Sequence, residues 1–150
     1  MIKVVTADYE IQEAVELIWQ VFSQFEAPEY SPEGIEEFKA YIDLAGTKRR
    51  IETQELKLWG YQQKNKLVGV IGIRPPAHIS LLFVDPAYHR QGIARSLYQA
   101  ASAAMGEQTM TVNSSPFAVP VYRRLGFKET TEEQTVNGIR FIPMKKQGLE

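Results

Sequence analysis

The stretch Val84–Tyr98, VDPAYHRQGIARSLY, reads as the end of a strand, a basic loop and the start of a helix. Pro86 lacks an N–H and biases Asp85 away from helical angles, which stops the strand. Beyond the loop, Ile93, Leu97, Ala101 and Ala104 recur at helical spacing among strong helix formers. Before it, Ile79–Val84 (ISLLFV) is almost continuously apolar, as expected of a strand buried on both faces. A helix N-terminus leaves its first N–H groups unpaired and carries a partial positive charge. Gly92 and Ala94 keep that end bare, and Arg90 and Arg95 flank it with charge, so a phosphate can approach the backbone closely. A glycine easing a turn between solvated arginines accounts for the same residues. No Gly-Lys-Ser/Thr follows, as a Walker loop requires, and the Gly-x-Gly-x-x-Gly of a dinucleotide site is absent.

At 150 residues the chain fits one domain, spanning 1–150, large enough to bury roughly two thirds of its unfolded surface. Its apolar fraction of 44% and charged fraction of 23% are those of an ordinary soluble protein. A net charge of −1 gives no electrostatic case for a nucleic-acid partner. Without cysteine there is no disulfide, thiol nucleophile or thiolate metal site. The start, MIKVVTADYE, has no apolar run long enough for a signal peptide or membrane span, so a cytoplasmic protein is expected.

Along the chain, Ile2–Val5 is a short strand, and Thr6 or Asp8 can cap the helix behind it. Ile11, Ala14, Val15, Ile18, Phe22 and Phe25 form one apolar stripe, so this helix covers a sheet. A second helix follows Ser31, with Pro32 in its first turn and Ile35, Phe38 and Ile42 facing inward. The polar run GTKRRIETQE, residues 46–55, reads as a surface connection. Strands are expected over Leu56–Gln62 and Leu67–Arg74 around the turn Lys64-Asn65-Lys66, with Pro75-Pro76 before the next strand. Thr109–Asn113 is a further strand. A short helix ends at Leu125-Gly126, where glycine supplies a left-handed cap. Phe127–Thr131 and Gly138–Met144 close the chain as strands. The class is mixed α/β, a strand meander followed by alternation.

A second dense patch is NSSPFAVPVYRRLGF, residues 113–127. Asn113 ends a strand, where its amide can face a ligand between strands. Pro116 and Pro120 delay the following helix and splay the chain. Tyr122 lies inside that helix. A phenol, with a reference pKa near 10, can protonate a departing thiolate, whose reference is near 8.5. On residue type alone, a tyrosine before Leu-Gly-Phe also fits a core position.

Together, a strand ending Val-Asp-Pro, x-x-Gly-x-Ala opening a helix, a strand ending in Asn, and Tyr-x-x-Leu-Gly-Phe resemble the GNAT N-acetyltransferase superfamily. The likeness is strong over residues 79–127 and looser over the whole element order. It implies a mixed, mostly antiparallel central sheet flanked by helices. It also implies acetyl-coenzyme A as co-substrate, no metal, and transfer of the acetyl group to a primary amine of a small molecule or peptide. His89, Arg90, Gln91, Gly92, Ile93, Ala94 and Arg95 match the loop that wraps the pyrophosphate, with His89 where the family has Gln or Arg. Main-chain groups near Leu82, Phe83 and Val84 would pair with the pantetheine arm, with Asn113 and Pro116 alongside. A backbone N–H near Phe83 or Val84 would polarise the acetyl carbonyl, and Tyr122 would protonate the thiolate.

The base is open among His78, Glu26, Glu29 and a water chain. The family lines its acceptor pocket with the connection between the first two helices, here FEAPEYSP with Glu26, Glu29 and Tyr30. An acidic pair suits a cationic amine; it also complements a helix dipole. The resemblance allows a homodimer and gives no membrane partner. A non-catalytic acyl-coenzyme A sensor is the alternative function, and it would need the loop without Tyr122.

Overall fold

The computed structural model describes residues 1–148. Its strands are β1 (Ile2–Val4), β2 (Lys57–Gln63), β3 (Lys66–Arg74), β4 (His78–Val84), β5 (Met110–Ser114), β6 (Lys128–Glu129), β7 (Gln134–Val136) and β8 (Ile139–Lys146). The helices are α1 (Asp8–Phe25), α2 (Pro32–Tyr41), α3 (Leu44–Glu52), α4 (Ile93–Ala104) and α5 (Val119–Leu125). The strands run in the order β1-β2-β3-β4-β5-β8-β6, with β7 paired to β8. Every pairing is antiparallel except that of β4 with β5. This is the mixed, mostly antiparallel sheet that the sequence led us to expect.

Two apolar layers hold the helices to the sheet. On one face, Ile93, Leu97 and Ala101 of α4 and Leu125 of α5 pack on Val68, Ile71 and Ile73 of β3. On the other, Ile11, Ile18 and Phe22 of α1 pack on Leu58, Val70 and Leu81. Burying one such side chain contributes about 1.5–3 kcal/mol, so these layers dominate the stability. Phe22 also stacks on Phe38 of α2, with ring centroids 4.0 Å apart. That contact draws α2 over the same face.

Four local expectations are corrected. Neither Thr6 nor Asp8 caps α1: Ala7 holds the cap position, and the Glu10 carboxylate reaches back to accept from the N–H groups of Ala7 and Thr6. Residues 46–55 are mostly α3, whose cap Asp43 accepts from the Gly46 N–H at 3.2 Å. The polar sequence hid a helix whose inner side is made of Gly46, Thr47 and the half-buried Ile51. An unforeseen strand, β7, pairs with β8 across Asn137-Gly138; both have positive φ, 53° and 78°, the geometry of a tight hairpin turn. Finally, β4 is not buried on both faces. Ile79, Leu81 and Phe83 are buried, while Ser80, Leu82 and Val84 are half-buried along cavities.

The cause of the last departure lies in the register. Ile73 pairs with Ile79 but Gly72 pairs with Leu81, so Ser80 is an extra residue that bulges from β4. Ile79 therefore packs on the α4 face and Leu81 on the α1 face. On its other edge β4 pairs with β5 only at His78↔Thr111 and Ile79↔Val112. Past the bulge the two strands part.

The hairpin at Asn137-Gly138 also fixes α2. The Ser31 hydroxyl caps that helix through the Gly34 N–H, and the Ser31 N–H donates to the Gly138 carbonyl at 3.3 Å. A Cβ on Gly34 would run into the backbone carbonyl of Gly138. Helix propensity alone would make Gly34→Ala stabilising by up to about 1 kcal/mol. The contact predicts the opposite, a loss of about 1–3 kcal/mol in equilibrium denaturation, because backbone cannot yield as a side chain does. A more stable Gly34→Ala variant would refute the docking of α2 on this turn.

Candidate active site

The parting of β4 from β5 leaves main-chain groups of β4 without a strand partner. The Asp85 N–H donates to the Val68 carbonyl at 2.8 Å. By the two-residue period of a strand, Leu81 and Phe83 also turn their main-chain groups towards β3. Leu82 and Val84 therefore turn theirs into the opening. Of the two N–H groups named from sequence, only that of Val84 faces the opening, and Leu82 joins it. The Val84 carbonyl accepts from Nε2 of His89 at 2.9 Å, so that nitrogen carries the proton. His89 thus braces the loop against the end of β4.

Beyond the opening lies a cavity of about 800 Å³. One wall is Leu82, Val84, His89, Arg90 and the first turn of α4 from Gly92 to Arg95. The opposite wall is Pro120, Val121 and Tyr122 of α5. Gly92 caps α4 with φ of +77°, and nothing lies within 4 Å of where its Cβ would be. Arg90 also has positive φ, 64°, which winds the loop tightly about the helix end. Arg95 donates to the Arg124 carbonyl at 2.9 Å, tying α4 to the end of α5. Gln91 does not line this cavity. Sequence reading missed Phe25 and Phe117, which line it and stack at 5.3 Å. Phe25 had looked like one more core position on the α1 stripe, and the 46% exposure of Phe117 is visible only in the structure.

A second cavity, of about 530 Å³, opens on the α1–α2 side of the sheet. Tyr30, Asn113, His78 and Ser115 line it, together with Phe38 and Tyr41 of α2. Pro116 and Glu29 line neither cavity; the Glu29 carboxylate accepts from the Phe117 N–H at 3.1 Å and so holds the α5 approach. Five residues line both cavities: Glu26, Leu82, Phe83, Ala118 and Tyr122. The sequence thus named both ionisable groups at the junction.

Their environment sets their protonation. Tyr122 is 5% exposed, and burial, with Glu26 nearby, holds its phenol well above the usual range. It stays protonated at any physiological pH. Burial also pushes Glu26 up to about 7, opposed by the Ser115 hydroxyl and reinforced by Glu29. Tyr30 is raised by the same causes, burial first and then Glu26 and Glu29. His78 is lowered, by burial and by Arg74. It begins β4, four residues before Leu82 and, with Ser80 bulged out, about 10 Å of strand from it.

The raised Glu26 predicts a pH-dependent stability. Its neutral form is favoured by the fold, so the fold loses stability as pH rises from the unfolded value of about 4.3 through about 7. Glu26→Gln escapes that cost. Relative to wild type it gains about 1–3 kcal/mol between pH 5 and pH 8.5 in denaturant titrations, the residual exposure of Glu26 keeping the gain below the full value. An equal difference at both pH values would show that Glu26 ionises normally.

Among the described residues no group of three or more His, Cys, Asp or Glu side chains could hold a metal ion. Among the described residues no helix is long and apolar enough to cross a membrane. A family model described as an acetyltransferase (GNAT) domain matches residues 26–148. The chain is 34% identical over 107 residues to YafP of Escherichia coli K12, an uncharacterized N-acetyltransferase, covering 71% of this chain and 67% of that one. In fold it is similar to a GCN5-related N-acetyltransferase from Rhodopseudomonas palustris, with a TM-score of 0.82 and 20% identity over 98% of this chain and 94% of that one. PaiA N-acetyltransferase from Thermoplasma acidophilum, solved with coenzyme A, superposes with a TM-score of 0.78 at 17% identity, covering 98% and 99%.

Proposed function

The chain belongs to the acetyltransferase (GNAT) family, and from that premise we propose that it transfers an acetyl group from acetyl-coenzyme A to a primary amine by direct attack. The observation that carries this reading is the meeting of two cavities at Glu26 and Tyr122. The larger takes the donor. Its pyrophosphate lies on the N–H groups around Gly92 to Ala94, beside Arg90, where the helix end favours negative charge. The pantetheine arm runs along the open edge of β4, pairing with Leu82 and Val84. The smaller cavity takes the amine.

Attack needs an amine lone pair, so an ammonium must first lose a proton. Glu26, with its carboxyl raised to about 7, is matched to take it near neutral pH. His78 stands too far along β4 for that task. The neutral amine attacks the carbonyl carbon, and the Val84 or Leu82 N–H stabilises the oxygen as charge develops. As the tetrahedral intermediate collapses, the carbon–sulfur bond breaks and Tyr122 gives its proton to the sulfur. A phenol is a weaker acid than a thiol, so this step is uphill on reference values. Glu26 eases it: once the carboxylate is protonated, the charge that helped to raise Tyr122 is gone. The second amine proton leaves to solvent, and Tyr122 is reprotonated through Glu26.

Thiol release from acetyl-coenzyme A with a panel of primary amines tests the reading. Tyr122→Phe should lower kcat by about 10²–10⁴ with little change in the KM for the donor. Wild-type rates should climb as pH passes about 7, and Glu26→Gln should lose that limb. A Tyr122→Phe enzyme as fast as wild type would remove the acid role. Donor binding has a separate test. Gly92→Val forces a β-branched residue into φ of +77° and should weaken coenzyme A binding at least about tenfold by calorimetry. Unchanged affinity would take the pyrophosphate away from this loop.

A further inference from the structure

The smaller cavity is lined by more charged groups than the reaction as derived uses. Glu26 and Glu37 line it from the helical side, after α1 and on α2. Arg74 and His78 line it from the sheet, at the end of β3 and the start of β4, and pair with each other in the register. Acid and base are therefore segregated across one cavity. Among the described residues Arg74 forms no ion pair, whereas Arg123 and Arg140 each hold a glutamate. The Thr111 hydroxyl lies 2.8 Å from Nδ1 of His78, so when it donates there Nε2 keeps its proton and can donate in turn.

We propose that the acceptor is a molecule with a primary amine at one end and an anion, carboxylate or phosphate, at the other, the anion being held by Arg74 with His78. The inference rests on the reading of Glu26 and Tyr122 as the reacting end. Arg74 is the principal anchor, since a guanidinium presents paired donors to either anion. The reacting end and the anchor are separated by the length of β4 from His78 to Leu82, which the Ser80 bulge matches to three residues of β3, about 10 Å between Cα atoms. Side chains reaching in from both ends shorten that to the span of a medium ω-amino acid. A short amino acid with adjacent amine and carboxylate would not bridge it.

The test compares hexylamine, 6-aminohexanoate and 6-aminohexyl phosphate, which share a chain and differ in the far end. With wild type and acetyl-coenzyme A, kcat/KM for one anionic amine should exceed that for hexylamine at least tenfold. The preferred anion distinguishes carboxylate from phosphate. Arg74→Met should collapse the ratio to near one through KM, and Arg74→Lys should restore part of it. Turnover of hexylamine as efficient as that of both anionic amines overturns the inference and leaves the acetyl transfer intact. If no amine turns over, calorimetry of the same amines with the coenzyme A-loaded protein decides: binding lost in Arg74→Met keeps the anion site and sinks the reaction, and absence of binding sinks this inference too.

Discussion

The structure depends on one constraint: β4 and β5 are paired over two residues and then separate. Parallel strands normally continue side by side, because an unpaired main-chain donor or acceptor away from water is costly. Here the Ser80 bulge turns β4 on one side of the divide. On the other, β5 leads into Ser115-Pro116 and a helix that starts only at Val119. The two cavities meet beside this gap, sharing Glu26, Leu82, Phe83, Ala118 and Tyr122 in their walls. Molecules held in the two cavities can thus meet there without sharing a pocket.

The helices then supply chemistry by where they begin and end. The basic loop closes on α4 through a left-handed Gly92, and His89 returns to the Val84 carbonyl to hold that loop to the strand. The end of α1 brings Glu26 to the divide, and the start of α5 brings Tyr122. A carboxylate beside a buried phenol raises the phenol, and the same burial that keeps the phenol neutral raises the carboxyl. Both groups are thereby kept protonated to a higher pH than either would be in water.

Much of this architecture is legible in the amino-acid sequence. The strand-loop-helix of Val84–Tyr98 and the Asn113–Phe127 patch are local signals, because glycine and proline dictate backbone geometry wherever they fall. The stripe on α1 likewise follows from period alone. What sequence could not carry was tertiary. Helix α3 buries small and polar residues, so it shows no apolar stripe. Arg74 and Ser80 become neighbours of Glu26 only when the sheet folds under α2. The choice of Glu26 over Glu29 depends on which carboxylate points to the divide and which accepts from the Phe117 N–H, a matter of fractions of a turn. Even the alternation of β4 is hidden, since an apolar run looks the same whether helices or a cleft cover it.

The most direct test is amide hydrogen exchange along β4, with and without saturating coenzyme A. Leu82 and Val84, whose N–H groups face the divide, should exchange quickly in the free protein and slow markedly in the complex. Phe83, bonded to β3, should be slow in both. Unchanged exchange at Leu82 and Val84 under saturation would mean that the pantetheine arm does not lie along this edge, and the account of the divide as the donor cleft would fail.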